Sequence, residues 1–259
     1  MSFSLNEITP VVLTYNEAPN IGRVLARLTW ADRVVVLDSF STDETESIAA
    51  GYPNVTFQQR RFDTHAKQWN FGLRETGICT PWVLALDADY VLPDAFVEEL
   101  RSLDSPEDVA GYEARFRYCI DGLALRGAAY TPVTVLFRRD RAVYGQVGHT
   151  QRVRVEGKVR PLHAPIHHDD RKPLERWFAS QLKYMQLEAE VLLSTPLGKL
   201  DLPDKVRRLV LVAPLAMFVY CLLVKFAILD GRRGLLYAGQ RAIAETILSL
   251  FLLQGMLKR

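Results

Sequence analysis

The sequence predicts an α/β fold built on a mostly parallel central sheet. Over residues 8–89, apolar runs short enough to be buried strands alternate with segments of helical spacing. Alternation of this kind implies parallel strands with helices on both faces. Each of three runs ends in a polar cluster: Thr14 to Glu17, Asp38 to Asp43, and Asp87 to Asp89. Right-handed crossovers bring such ends to one sheet edge, where open α/β sheets bind ligands.

The elements follow in order. Ile8–Thr14 reads as a first strand, closed by Tyr15-Asn16-Glu17. Pro19-Asn20 opens a helix on which Ile21, Val24, Leu25 and Leu28 share a face. Residues 33–37 form a second buried strand, and Ser41 or Thr42 caps a helix over 44–50. Residues 55–58 make a third strand, and 64–75 a helix carrying His65, Lys67, Gln68 and Asn70. Residues 82–86 are a fourth strand, running straight into Asp87-Ala88-Asp89.

The next region has a different pattern. Residues 111–118 and 133–139 read as strands of mixed faces, with Arg115, Arg117, Arg138 and Arg139 among them. Glu156-Gly157 is expected to turn a hairpin between 152–155 and 158–162. His167-His168-Asp169-Asp170 precedes Lys172-Pro173, and apolar residues from Leu174 to Leu192 then repeat at helical spacing. The expected organisation is a first half at 1–110, an α+β half with its following helix at 111–193, and a linker plus apolar tail at 194–259.

Composition bounds the function classes. At 259 residues with 49% hydrophobic and 24% charged, the chain can bury a large core and is not a disordered one. A net charge of +2 makes no case for nucleic acid, and no nucleic-acid partner is expected. Cys79, Cys119 and Cys221 are scattered, which suits free thiols in a reducing compartment. The first residues lack a basic stretch before an apolar one, so a secretory signal is not expected.

The tail stands apart. No charge occurs from 209 to 224, and a second apolar segment at 235–253 is broken only by Arg241 and Glu245. The first run is shorter than the about 20 residues of a bilayer span. Lys205, Arg207, Arg208, Arg232 and Arg233 flank it, as suits an anionic leaflet. The tail is therefore expected to be a membrane-associated helical hairpin at the cytoplasmic face of the inner membrane. The competing reading is an extra helical layer on the main domain.

The chemistry begins with the aspartate pair. In extended backbone, Asp87 and Asp89 point to the same side, and paired hard oxygen donors suit a divalent ion that also holds phosphate. The plainer reading is a polar strand end with an Asx turn. No Gly-x-Gly-x-x-Gly follows the first strand, and no Gly-Lys-Ser or Gly-Lys-Thr loop occurs, which removes the usual dinucleotide and P-loop readings.

Four segments together resemble a known family. Val11 through Glu17, Val36 through Asp43, Gln68-Trp69-Asn70 and Leu86-Asp87-Ala88-Asp89 are similar to the ordered motifs of family 2 glycosyltransferases with the GT-A fold. Gly148-His149, His167-His168-Asp169 and Leu229-Asp230-Gly231 extend the resemblance to the branch with lipopolysaccharide-core β-glucosyltransferases. The resemblance implies an inverting transfer from a nucleotide-diphosphate sugar, UDP-linked in the family's usual form, to a lipid-linked or cell-envelope glycan acceptor. By position it puts Thr14, Tyr15 and Glu17 in the nucleoside pocket and Asp38 on the base. Gln68 and Asn70 fall near the base or diphosphate, Asp87 on ribose or metal, and Asp89 on Mn²⁺ or Mg²⁺.

Two departures matter. Trp69 stands where the branch carries a basic residue, so either Lys67 supplies the charge instead or the diphosphate depends more on the metal. Thr150 stands where the branch carries the glutamate suited to deprotonate an acceptor hydroxyl. His149, Asp169 or Asp170 then becomes the candidate base, or the acceptor is a polyprenyl phosphate that needs none. An inactive sugar-nucleotide-binding membrane scaffold is the reading from another class. For Asp169 and Asp170 the bland alternative is a helix cap.

Overall fold

The computed structural model describes residues 4–104, 106–127, 130–147 and 150–258. Gly148 and His149 lie outside them. Contacts divide the chain into two compact units: Met1–Gly122 with Tyr130–Arg171, and Leu123–Ala129 with Lys172–Arg259.

The first unit follows the alternation read from the sequence: β1 Ile8–Thr14, α1 Ile21–Leu25, β2 Val34–Asp38, α2 Thr45–Ala50, β3 Val55–Gln59, α3 His65–Arg74 and β4 Trp82–Asp87. It continues with β5 Tyr90–Val91, α4 Asp94–Ser102, β6 Val109–Ala114 and β7 Phe116–Ile120. After β8 Leu123–Ala124, which belongs to the second unit by contacts, come β9 Val133–Arg138, β10 Ala142–Val147, β11 Thr150–Val155, β12 Lys158–Pro161 and β13 Ile166–His168. The main sheet has the order β12-β6-β9-β4-β1-β2-β3. Its β4-β1-β2-β3 half is parallel, and β9 runs antiparallel to both β4 and β6. The expected mostly parallel α/β sheet is therefore present.

Period-two alternation buries both faces of this sheet. Val12, Val36, Leu84 and Leu86 join α1, α2 and α4 in one core. Val11, Val35, Val83 and Ala85 join Ala66, Trp69 and Leu73 of α3 in the other. The strand interiors carry no charge because neither face meets water.

Three expectations are corrected. The single strand at 111–118 is two, β6 and β7, which part at Arg115 and enter different sheets, the second ordered β5-β13-β7-β8. The hairpin at Glu156-Gly157 does not form. Instead β10 pairs antiparallel with β11, while β12 pairs parallel with β6 at the sheet edge. Gly157 permits that departure: it has φ +135°, and a Cβ there would lie 2.7 Å from Ala110 Cβ. Finally, the helix after Pro173 goes with the tail and not with the half before it.

The second unit consists mainly of α5 Leu174–Ser194, α6 Leu202–Arg207, α7 Val212–Val219 and α8 Gly231–Leu257. Ala189 and Leu192 of α5 pack with Leu248 and Leu252 of α8, together with Leu200 and Val210. Arg207 ties the layer electrostatically, to Glu188 at 3.0 Å and to buried Glu245 at 2.9 Å. The apolar run at 209–224 is not one straight helix. It passes from α7 into a π-helical turn at Tyr220–Val224 and breaks at Phe226, which takes φ 58°. Among the described residues no single helix is long and apolar enough to cross a membrane. The pair Val212–Val224 and Ala227–Leu257, bent by 72°, passes only on length and composition.

Replacing Gly157 with Ala is expected to destabilise the first unit by about 2 kcal/mol, since it adds a clash to a left-handed backbone. Urea denaturation measures this, and an unchanged midpoint would show that the β6–β12 edge relaxes around a side chain.

Candidate active site

The chain leaves the main sheet at Asp87, the last residue of β4, paired in register with Leu13. Ala88 and Asp89 form a turn, so strand alternation does not extend to Asp89. Tyr90 then starts β5 in the second sheet, where His168 stands opposite it. This register brings His168 Nε2 to 3.2 Å from Asp89 Oδ2, and the Asp169 amide donates to the Asp89 carbonyl at 2.9 Å. Tyr90, Tyr118 and Tyr130 surround the imidazole edge-on at 5.5, 5.1 and 5.3 Å. The Tyr90 and Tyr130 hydroxyls share a hydrogen bond of 2.8 Å.

This cage shapes the electrostatics. Burial works against the imidazolium, but Asp89, with Asp87 and Asp170, outweighs it and holds the His168 pKa above its ordinary value. His168 Nδ1 is buried and makes no hydrogen bond among the described residues. Burial and the nearby Asp87 push the Tyr90 hydroxyl well above the usual tyrosine range, so it stays protonated.

Asp169 and Asp170 sit beside this pair, and neither caps α5, whose cap is Pro173. Asp169 is buried and meets Arg23 at 2.6 Å and Arg171 at 2.8 Å, while the Gly122 amide donates to it at 3.1 Å. Burial raises its pKa, but Arg171, Arg23 and that amide prevail and hold the carboxyl below the usual range. Asp169, one of the candidate bases, is thus held ionised between two guanidinium groups. Asp170 accepts from Asn20 Nδ2 at 2.9 Å, and the same amide donates to Glu17 at 2.8 Å. Asn20 Oδ1 in turn accepts from Arg23 and from the Arg171 amide. Fully buried Asn20 thereby links the loop after β1 to the end of β13.

The loops after β1 and β2 are laced together. Thr14 Oγ donates to Asp38 Oδ1 at 2.9 Å, and the Ser41 amide donates to Oδ2 at 2.7 Å. Gln59 also reaches Asp38, which has no exposed surface. In this structure, without a nucleotide, Asp38 is a latch between the two loops. Asn16, at φ 54°, donates its amide to Ser41 and accepts from the Thr42 amide. The Glu17 amide donates to Thr45. This lacing leaves two aromatic side chains more than half exposed, Tyr15 and Phe40. Phe40 adopts φ 62°, a strained setting for a bulky residue.

On α3, Lys67 is exposed and pairs with Asp63 at 3.3 Å. Gln68 is buried, donating to Ser39 at 3.2 Å and accepting from Arg60 at 2.6 Å. Asn70 clasps β10: it donates to the Tyr144 carbonyl at 2.8 Å and accepts from the Tyr144 amide at 2.9 Å. Trp69 stacks on the Tyr144 ring at 5.1 Å. Both side chains thus dock the β10–β11 hairpin. His149 lies outside the described residues.

Among the described residues, no three His, Cys, Asp or Glu side chains group to hold a metal by themselves. The donor set of Asp89 and His168 fits a cation that takes its remaining ligands from a bound diphosphate. His168 was not singled out as a site from the sequence. His167 and His168 are adjacent, and only the β13–β5 register determines which one faces Asp89.

The profile of glycosyl transferase family 2 matches residues 10–152, more than half of the chain. The chain belongs to glycosyl transferase family 2. This family assignment covers β1 through the start of β11, so Asp87 and Asp89 lie within the match and His168 beyond it. The chain is 30% identical over 140 residues to the lipopolysaccharide core biosynthesis glycosyltransferase LpsC of Rhizobium meliloti (strain 1021), covering 51% of this chain and 48% of LpsC. It thus spans about half the length of that curated relative. Two solved structures are also similar. TarS 1-349 of S. aureus in complex with UDP-GlcNAc is 15% identical, with a TM-score of 0.46 over 97% of this chain and 92% of that one. Glucosyl-3-phosphoglycerate synthase of Mycobacterium tuberculosis with phosphoglyceric acid is 18% identical, with a TM-score of 0.48 over 71% and 78%.

Asn70→Ala is expected to cost about 2 kcal/mol through its two lost hydrogen bonds to β10. Hydrogen exchange should quicken along β10 and β11. Unchanged exchange with weakened donor binding would instead make Asn70 a ligand contact.

Proposed function

We propose that the chain transfers a sugar, with inversion at the anomeric carbon, from a UDP-linked donor to a lipid-linked or cell-envelope glycan acceptor. The observation that carries this reading is the buried Asp89–His168 pair at the end of β4, within a family 2 glycosyltransferase. The name of LpsC supports the class of acceptor.

On this reading Thr14, Tyr15 and Glu17 line the nucleoside pocket, and Tyr15 offers its exposed ring to the base. The Asp38 carboxylate reaches the base only by exchanging its Ser41 hydrogen bonds for it. Lys67, from the first turn of α3, swings from Asp63 toward the diphosphate, with Gln68 and Asn70 supporting the wall. Asp87 orients the ribose. Asp89 and His168 hold a divalent cation, Mn²⁺ or Mg²⁺, which supplies positive charge against the diphosphate leaving group.

The proton on an acceptor hydroxyl goes to Asp170 or His149. A second reading, transfer to a polyprenyl phosphate with no base at all, is favoured by Asp169, whose charge is absorbed by Arg23 and Arg171. The apolar helices of the second unit bring the enzyme to the cytoplasmic face of the inner membrane. Leu209, Leu211, Leu215 and Leu223 are each more than half exposed there.

A screen of UDP-sugars with Mn²⁺ and Mg²⁺ tests the assignment. Asp89→Ala and His168→Ala should each lower turnover by about a hundredfold or more, since several kcal/mol of charge stabilisation is lost. Undiminished turnover in Asp89→Ala would sink the metal assignment. Thr150→Glu separates the two acceptor readings. It should raise transfer to a sugar hydroxyl if a base is what the chain lacks, and leave a phosphate acceptor unaffected.

A further inference from the structure

We infer that a groove between α5 and α8 takes one hydrocarbon chain of a phosphate-headed lipid, with the phosphate on Arg232. The inference rests on the proposed lipid-linked acceptor and gives its apolar part a seat. The groove has a volume of about 350 Å³ and lies wholly within the second unit. Trp177 and Phe178 of α5 form one wall. On α8, Arg232, Leu235, Gly239 and Ile243 line the other, spaced by three and four residues and therefore on a single stripe. From Arg232 to Ile243 that stripe runs about 16 Å along the helix axis.

Three observations select the occupant. First, Gly239 lies in the interior of α8, where glycine costs helix stability, yet a Cβ there would meet nothing within 4 Å. No packed neighbour requires the missing side chain, so its absence serves only to keep the groove open. Second, no acidic side chain lines the groove, while Arg232 closes one end with Arg233 beside it, both exposed. An apolar slot ending in guanidinium groups complements a hydrocarbon with an anionic head, and arginine suits phosphate in particular. Third, the volume is at the low end of pockets that hold small ligands. The groove is also continuous with exposed apolar surface at Leu174, Leu235 and Leu236, through which a chain can enter from a bilayer.

The test uses the full chain and phosphatidylcholine vesicles containing phosphatidylglycerol with brominated acyl chains, which quench tryptophan on contact. Trp69 and Trp82 are buried and Trp30 is partly buried in the first unit, so Trp177 is the reporter in the second, read as the part of the quenching that depends on it. The brominated anionic vesicles should quench fluorescence, and Trp177→Phe should remove that quenching while co-sedimentation persists. Gly239→Leu fills the open space without a clash, so it should keep its melting temperature and lose most of the quenching. Arg232→Gln should lose the preference for the anionic lipid. The inference is overturned by quenching that survives in Gly239→Leu, by equal quenching from brominated phosphatidylcholine alone, or by light scattering that shows a dimer abolished in Gly239→Leu. The two readings fail separately. If Gly239→Leu glycosylates a lipid-linked acceptor as fast as the parent chain, the groove is wrong and the proposed function stands. If no lipid-linked acceptor is glycosylated but quenching still depends on Gly239, the groove stands and the acceptor assignment falls.

Discussion

A carboxylate and an imidazole buried against each other, Asp89 and His168 at 3.2 Å, are the constraint around which the first unit is arranged. Neither group tolerates burial alone, because a desolvated charge without a partner is costly. The fold supplies the partnership by letting one chain serve two sheets. β4 ends in the large sheet, the turn at Ala88-Asp89 redirects the backbone, and β5 begins the small one. The pairing of β13 with both β5 and β7 then fixes which of two adjacent histidines meets the aspartate. The tyrosine cage covers most of the imidazole, so a change in register would leave it largely buried without its acid.

The surrounding polar residues act as fasteners. Asn20 satisfies acceptors on Glu17 and Asp170 and accepts from Arg23 and the Arg171 amide, using its whole hydrogen-bonding capacity. Asp38 joins the loops after β1 and β2, and Asn70 fixes the β10–β11 hairpin to α3. Each of these residues type-matches a ligand contact, yet each is committed inside the protein. Tyr15, Phe40 and Lys67 stay exposed beside them, and the Asp89–His168 pair lies deeper.

Strand and helix order along residues 8–89 was legible because two-sided burial imposes uninterrupted apolar runs, and the polar clusters mark where each strand leaves the core. Pairing was less legible. Arg115 divides β6 from β7, but one residue's charge does not say that the chain changes sheets there. Glu156-Gly157 reads as a hairpin turn, whereas Gly157 is needed for its close approach to Ala110. The internal partners of Asp38, Asn70 and Asp169 were not legible either, because sequence shows that a polar group is present and not which neighbour satisfies it. His168 was hidden for the converse reason, since its role comes from a register between strands distant in sequence. The tail's apolar character was visible, but its break at Phe226 depends on a left-handed backbone at a residue that rarely adopts one.

In the proposed function, Asp89 and His168 jointly form the cation-binding end of the donor site. Electron paramagnetic resonance of Mn²⁺ titrated into the protein with UDP present tests it without requiring the acceptor. The account predicts a bound-Mn²⁺ signal that is lost in Asp89→Asn, and strongly weakened in His168→Ala, with near-ultraviolet circular dichroism unchanged in both. Full Mn²⁺ binding by His168→Ala would contradict it, and would reduce the Asp89–His168 pair to a packing feature of the small sheet.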